Sequence, residues 1–273
     1  MVKKQLYDYK LGRLILESFV KRKPFTAAAG KFANNRASKM LIPWFKKTYK
    51  IDIANFLTPQ GGFKTLNQFF TRNYKPEYLN FPTKEGALFT PAEGYLSIQE
   101  NINANQVIQA KEFNYSLSEL IGQDASEFNN GVLIKLRLTP KEYHHFHYFD
   151  NGKLISFSNI AGSYYTSDNC GLDKIKKLYT KSHRQVSMLQ TKNFGKVAYI
   201  EIGATFVGTI IQNNIVGEDF KAGDKKGCFK FGGSTAILLF KKNTIKLNKD
   251  ILQATKDNQE VYVNLFKVIG SKI

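Results

Sequence analysis

Cysteine is nearly missing from this chain. Cys170 and Cys228 are the two thiols in 273 residues, far apart in sequence. They exclude a disulfide framework and a cysteine-built metal cluster, and they favour a reducing compartment. Long apolar runs are missing too, since none approaches the ~18 residues of a membrane-spanning helix. The first residues carry lysine but no apolar core followed by a small-residue cleavage site, so no secretory signal is expected. Acidic residues are scarce: 22 Asp and Glu face 40 Lys and Arg, a formal net charge of +18. Such an excess implies a polyanionic partner, whether nucleic acid, an anionic membrane or an acidic ligand. There is no fixed-period repeat and no low-complexity segment.

What is present is enough for a sizeable core, with 42% hydrophobic residues. The charge is not spread evenly. Residues 1–50 hold thirteen cations minus two anions, Asp8 and Glu17, a net +11. Apolar residues at helical spacing predict a helix over 6–22 and a second helical stretch over about 27–50, broken or kinked at Pro43. Met40, Leu41, Trp44 and Phe45 line one side of the second, with Lys39, Lys46 and Lys47 around them. Basic amphipathic helices of this kind lie in a lipid interface or pack on a body with their cations solvated. A short helix is expected in 64–75, opening near Thr65 or Asn67.

From Gly86 the pattern changes to short apolar or alternating runs between Gly, Asn and Asp turns. Strands are expected at 86–90, 95–99, 106–110, 131–138, 153–158, 185–191, 196–202, 206–212, 235–241 and 261–267. Helical interruptions are expected near 116–122 and 171–179. The fold class is α+β: a mainly β, barrel- or sandwich-like catalytic body with an N-terminal basic helical arm. The division falls between an amphipathic region, 1–75, and a β-rich domain, 76–273.

Three fragments can carry chemistry. Three of the four histidines stand together as His144, His145 and His147. In an extended segment His145 and His147 share one face and His144 points the other way; in a turn His144 and His147 can converge. A metal site would need a further ligand at a telling spacing, and none is present, so no metal is expected. Acid–base work needs instead a carboxylate to orient an imidazole and a nucleophile for it to activate. Glu93, in a turn after a strand, offers the carboxylate. Ser234, behind Gly232 and Gly233 and opening an apolar run, offers a hydroxyl that glycine lets bend back onto the carbonyl before it.

In order and together these stretches resemble one family, the phosphatidylserine decarboxylases. Asn67-Gln-Phe-Phe-Thr-Arg72 resembles that family's Phe-Phe-x-Arg element, and Pro91-Ala-Glu-Gly94 its Pro-Ala-Asp-Gly. Leu138-Thr-Pro-Lys-Glu-Tyr-His-His-Phe-His147 resembles its Leu-x-Pro-x-Asp-Tyr-His-x-x-His. Gly203-Ala-Thr-Phe-Val-Gly-Thr-Ile210 resembles a further glycine motif, and Gly227-Cys-Phe-Lys-Phe-Gly-Gly-Ser-Thr235 the site where the family cuts itself.

The resemblance implies a self-made cofactor. Ser234 attacks the carbonyl of Gly233, with His147 as its base and Glu93 holding the far ring nitrogen. The chain divides into a β chain, 1–233, and an α chain, 234–273. The serine remnant becomes a pyruvoyl group, which forms a Schiff base with phosphatidylserine and accepts the electrons left by carbon dioxide. His144 returns the proton; Thr235 and Gly233 shape the pocket. The product is phosphatidylethanolamine, and the alternative is an uncleaved or non-enzymatic relative that binds anionic phospholipid. The expected partners are phosphatidylserine, an anionic membrane surface and the chain's own two pieces, with a homodimer allowed and no nucleic acid. The expected location is the cytoplasmic face of the cell membrane, held peripherally. Three departures stand out: Glu93 for the family's Asp, Ser182-His183-Arg184 for its Asn-Glu-Arg, and Ser163-Tyr164-Tyr165-Thr166 where it has Val-Asn-Pro.

Overall fold

The computed structural model describes residues 23–105, 107–110, 113–165, 172–203, 209–231 and 234–273. The helix expected over 6–22, residues 204–208 of the glycine motif, Cys170 and Gly233 lie outside them. The helical stretch expected over about 27–50, broken or kinked at Pro43, is three elements: α1 (Lys23–Asn34), a 3-10 turn (Arg36–Leu41) and α2 (Ile42–Tyr49). Of the two expectations for Pro43 the break holds, with the proline starting α2. It stands in the first turn, where a missing N–H has no partner to lose. α3 (Leu66–Phe70) begins at Thr65, whose hydroxyl accepts from the amide of Gln68. The remaining helices are α4 (Leu117–Ile121), closed by a Ser116/Glu119 capping box, α5 (Leu178–Lys181) and α6 (Lys249–Ala254).

The strands are β1 (Ala87–Phe89), β2 (Gly94–Glu100), β3 (Val107–Ala110), β4 (Phe113–Tyr115), β5 (Val132–Leu138) and β6 (His145–His147). They continue with β7 (Gly152–Ile160), β8 (Arg184–Thr191), β9 (Gly195–Gly203), β10 (Ile210–Gln212) and β11 (Asp219–Phe220). The last are β12 (Lys225–Phe229), β13 (Ser234–Phe240), β14 (Ile245–Leu247), β15 (Val261–Val263) and β16 (Val268–Lys272). The run expected as one strand over 261–267 is β15 and the start of a turn, because Phe266 takes a positive φ before β16.

Eight strands form one antiparallel sheet in the order β11-β7-β8-β9-β13-β5-β2-β15. Two three-stranded sheets, β1-β16-β14 and β10-β12-β6, accompany it. Among the described residues no barrel closes; of barrel and sandwich, the body is the sandwich-like one. β13 shows why. All seven of its residues are buried, and they alternate between two cores. Ala236, Leu238 and Phe240 join Leu136, Leu138, Tyr199, Phe146 and Phe229 on the side of the small sheets. Ile237 and Leu239 join Leu117, Leu120, Phe128 and Tyr179 on the opposite side.

A third cluster belongs to the N-terminal helices. Phe45, Phe63, Leu66, Phe69 and Phe70 pack together, and Phe231, three residues before Ser234, packs against them. The amide of Phe231 donates to Asn67 Oδ1 at 3.0 Å.

Gly94 joins β2 to the rest. Its φ is +144°, and a Cβ there would stand 2.6 Å from the carbonyl oxygen of Arg137. Gly94→Ala should therefore cost about 2–3 kcal/mol, through strain and the forced separation of β2 from β5. The check is a urea melt, in which an unchanged midpoint would show that this strand pair is less closely fitted than described.

Candidate active site

β6 is extended, and alternation divides its histidines as the sequence pattern allows for a strand. Tyr143, His145 and His147 lie on one face: the Tyr143 ring stacks on His145 at 4.6 Å between centroids and stands 5.9 Å from His147. His144 and Phe146 lie on the other. Phe146 reaches Phe229 and Tyr199 in the core, and His144 tilts against Phe70 at 3.8 Å.

Each imidazole has its tautomer fixed by a backbone carbonyl. Nδ1 of His144 donates to Glu142 O at 2.9 Å, and Nδ1 of His147 donates to Gly223 O at 2.9 Å. In both rings Nε2 is then left with the lone pair. For His145 the order is reversed, with Nε2 donating to Thr71 O at 3.0 Å. Burial keeps all three neutral. His144 falls well below the ordinary imidazole value, helped by the Arg72 charge. His145 falls to about 3, mainly through burial and then Lys225. His147 falls to about 4, burial outweighing the support of Gly223 O.

The carboxylate is not where the sequence pattern expected it. Glu93 accepts from the Tyr74 hydroxyl at 2.6 Å and from the amide of Tyr143. The far nitrogen of His147 belongs to Gly223 O, and its Nε2 faces the Tyr143 hydroxyl at 3.4 Å. Glu93 thus reaches His147 only through Tyr143, whose amide it holds. Burial pushes the Glu93 carboxyl up, and its two hydrogen bonds and Arg72 oppose the shift.

Arg72 supports the same corner. Its guanidinium donates to the carbonyls of Lys141 and Glu142, so it fixes the turn that delivers His144. It lies 4.5 Å over the Phe56 ring, which stacks on Tyr74 at 4.3 Å. Tyr143, Tyr74, Arg72 and Gly223 escaped the sequence reading as site residues. Tyr143 and Arg72 were visible inside the quoted motifs; Gly223 acts through a carbonyl that every residue has, and nothing in sequence marks it.

Ser234 pairs with Leu138 of β5 and Gly203 of β9. It shares the parity of Ala236 and Leu238, so its side chain turns toward the small sheets. The hydroxyl is fully buried and has no hydrogen-bond partner among the described residues; nor have Thr235 Oγ1 and Nε2 of His144. The expected bond between Ser234 and His147 is not formed. Phe70 touches both His144 and, at 5.4 Å, Phe231, so the His144 face of β6 borders the segment leading to Ser234. Among the described residues no group of three His, Cys, Asp or Glu is arranged to hold a metal ion.

Buried polar groups without partners cost about 1–3 kcal/mol each, and proteins keep them where chemistry needs them. An unpartnered imidazole nitrogen, an unpartnered serine hydroxyl and a carboxyl pushed toward its neutral form are groups that acid–base chemistry uses. A family model described as phosphatidylserine decarboxylase matches residues 66–264. The phosphatidylserine decarboxylase proenzyme of Ruminiclostridium cellulolyticum is 41% identical over 270 residues, covering 98% of this chain and 90% of that protein. Proteins of the same name from Clostridium perfringens and Clostridium botulinum are each 40% identical over 268 residues, covering 97% of this chain and 91% of theirs. The chain belongs to the phosphatidylserine decarboxylase family and is a lyase.

The buried imidazoles make stability depend on pH. Their folded values lie below the ordinary 6.5, so their contribution is complete above that pH and is lost as pH falls toward about 4. Glu93, Glu142 and Glu201, all pushed up by burial, act in the opposite sense and lose their contribution as pH rises. For His145 and His147 the loss between pH 7 and pH 5 should be about 2 kcal/mol each. Urea melts of the parent and of His145→Gln at the two pH values test this, and an equal pH dependence in the two would mean that this ring is not held neutral.

Proposed function

We propose that this chain converts phosphatidylserine to phosphatidylethanolamine and carbon dioxide with a pyruvoyl group made from Ser234. In this reading the proenzyme divides between Gly233 and Ser234. The observation that carries it is the Ser234 hydroxyl, fully buried at the mouth of a core strand with no partner. A serine kept there for structure would be replaced by alanine without loss.

In the cleavage, Ser234 Oγ bonds to the Gly233 carbonyl carbon as its proton passes to an imidazole nitrogen. The Gly233–Ser234 C–N bond breaks, the freed amine takes the proton, and an ester remains. Loss of the Ser234 Cα proton then breaks the Cβ–Oγ bond and releases Gly233 as a carboxylate. Water hydrolyses the enamine left behind, ammonia departs, and the new chain begins with a ketone.

His147 is the base in this scheme. Its Nδ1–H is held by Gly223, its Nε2 carries the lone pair, and it is neutral at physiological pH. Glu93 acts through Tyr143 by fixing the residue that abuts both His147 and His145. The site suits the cofactor: the serine is enclosed, and an unpartnered imidazole nitrogen, Nε2 of His144, borders the same cluster. The pyruvoyl group supplies an electrophilic carbonyl that binds an amine and withdraws the electron pair left by carbon dioxide. His144 receives a proton on Nε2 and hands it to the substrate carbon. The unpartnered Nε2 and its place beside Phe70 favour a second assignment, with His144 as the base for Ser234.

Cleavage followed by intact mass separates these assignments. The parent should yield pieces 1–233 and 234–273, and Ser234→Ala should stay whole and inactive. His147→Ala should slow cleavage by at least about 100-fold. His144→Ala should cleave but lose lipid turnover. The reverse pattern would move the base to His144, and turnover by Ser234→Ala would remove the pyruvoyl reading altogether.

The N-terminal region gives the enzyme its access to lipid in this proposal. Met40, Trp44 and Phe32 are exposed, at 76%, 60% and 47%. Lys31, Arg36, Lys39, Lys46, Lys47 and Lys50 are exposed around them. Among the described residues no helix is long and apolar enough to cross a membrane. Exposed apolar side chains interspersed along the chain with exposed cations support peripheral docking on an anionic leaflet, each near cation adding about 1 kcal/mol. Met40→Ser/Trp44→Ser should weaken sedimentation with phosphatidylserine vesicles by at least about tenfold while leaving cleavage unchanged. Equal binding by parent and variant would place the membrane contact elsewhere.

A further inference from the structure

One buried ion pair has no part in the chemistry above. Lys226 of β12 and Glu201 of β9 are sealed from solvent, with Nζ 2.7 Å from Oε1. Nζ also donates to Ser187 Oγ at 2.9 Å and Gln212 Oε1 at 2.7 Å, so all three ammonium protons are engaged. Gln212 Nε2 donates to Glu201 Oε2 at 3.0 Å and to Gln185 Oε1 at 2.9 Å. The ammonium stands 4.8 Å from the centroid of the Tyr199 ring. With every ammonium proton already engaged, the lysine has none to offer a ligand, and its effect is geometric.

The pair joins two sheets. Ser187 and Glu201 belong to β8 and β9 of the large sheet; Lys226 and Gln212 belong to β12 and β10 of the small one. Lys226 is also the extra residue of a bulge. Lys225 stands opposite His147 and Gly227 opposite Phe146, so Lys226 has no partner of its own on β6. Gly227 cannot take a side chain, since a Cβ would lie 2.0 Å from Ile211 O and 2.6 Å from the Phe146 ring. On the large sheet Glu201 stands opposite Ala236, two residues along β13 from Ser234.

We infer that Lys226 and Glu201 are positioning residues for self-cleavage: they pin the bulged strand β12, and with it His147, against the strand that begins at Ser234. This rests on the reading of Ser234 as the reacting serine. A buried ion pair contributes little net stability, because replacing both partners by apolar residues is often neutral, whereas removing one strands a charge. The double variant Lys226→Met/Glu201→Leu therefore removes both charges together and leaves only the hydrogen bonds of Ser187 and Gln212 unmade.

The expected double variant stays folded, its loss of stability limited to the hydrogen bonds left unmade at Ser187 and Gln212, but cleaves at least about tenfold more slowly. In the uncleavable Ser234→Ala background, NMR titration of His147 should move up from about 4 toward the ordinary imidazole value when the pair is removed. Parental cleavage with a parental titration overturns the inference. So does a double variant that fails to fold, since the pair would then supply stability rather than register. Failure of the Ser234 reading looks different: the parent stays whole, while the titration still reports whether the pair positions His147.

Discussion

The seven residues of β13 are the constraint on which the rest depends. Each is buried, the strand is bonded along its length to β5, and it is bonded to β9 from Ser234 to Leu239. A strand in that position has no freedom to shift by one residue, because every side chain would then move to the wrong core. Ser234 is its first residue, so the hydroxyl is held against a fixed frame on its C-terminal side. Whatever movement self-cleavage needs must come from the chain before it, where two glycines precede the serine.

The imidazoles follow the same economy. Carbonyls of Glu142, Gly223 and Thr71 set their tautomers, a task for which other enzymes use a carboxylate. A carbonyl orients a ring without placing a full negative charge beside it, so it does less to stabilise an imidazolium. That difference fits rings that stay neutral and depressed in this fold. Glu93 is itself pushed toward its neutral form and directs its hydrogen bonds to Tyr74 and Tyr143.

Most of the strand ladder was legible in the sequence because half-buried strands alternate and fully buried ones form short apolar runs between turns. β5, β8, β9 and β13 follow that rule. β4, β6, β11, β12, β14 and β16 did not stand out, being short or carrying Lys226, Gly227 and the histidines where apolar residues would announce a strand. The helix limits at Thr65 and Ser116 were marked by capping chemistry, whereas Pro43 was ambiguous between a break and a kink. At the site, the residues inside motifs were legible and their partners were not. Spacing cannot tell that Glu93 turns to Tyr74, that a carbonyl at Gly223 serves His147, or that Lys226 is paired with a glutamate 25 positions earlier.

The topology also bears on what a break before Ser234 would leave. The segment from Ser234 onward contributes β13 to the middle of the large sheet, β15 to its edge, and β14 and β16 to a small sheet. β16 pairs with β1 and β15 with β2, so the piece is laced into the rest at three separate places. Its inward residues, Ala236, Leu238, Phe240, Ile245, Leu247, Ile251, Val263 and Ile269, belong to the same core as Leu96, Leu136 and Tyr199. Pulling it out would expose that whole cluster, at about 1.5–3 kcal/mol for each large side chain. A break at this position would therefore leave the sheet intact. The new terminus would stay fixed by β5 and β9, and the longer piece would stay anchored as far as Phe231 by its packing on Phe45 and Phe70 and its bond to Asn67.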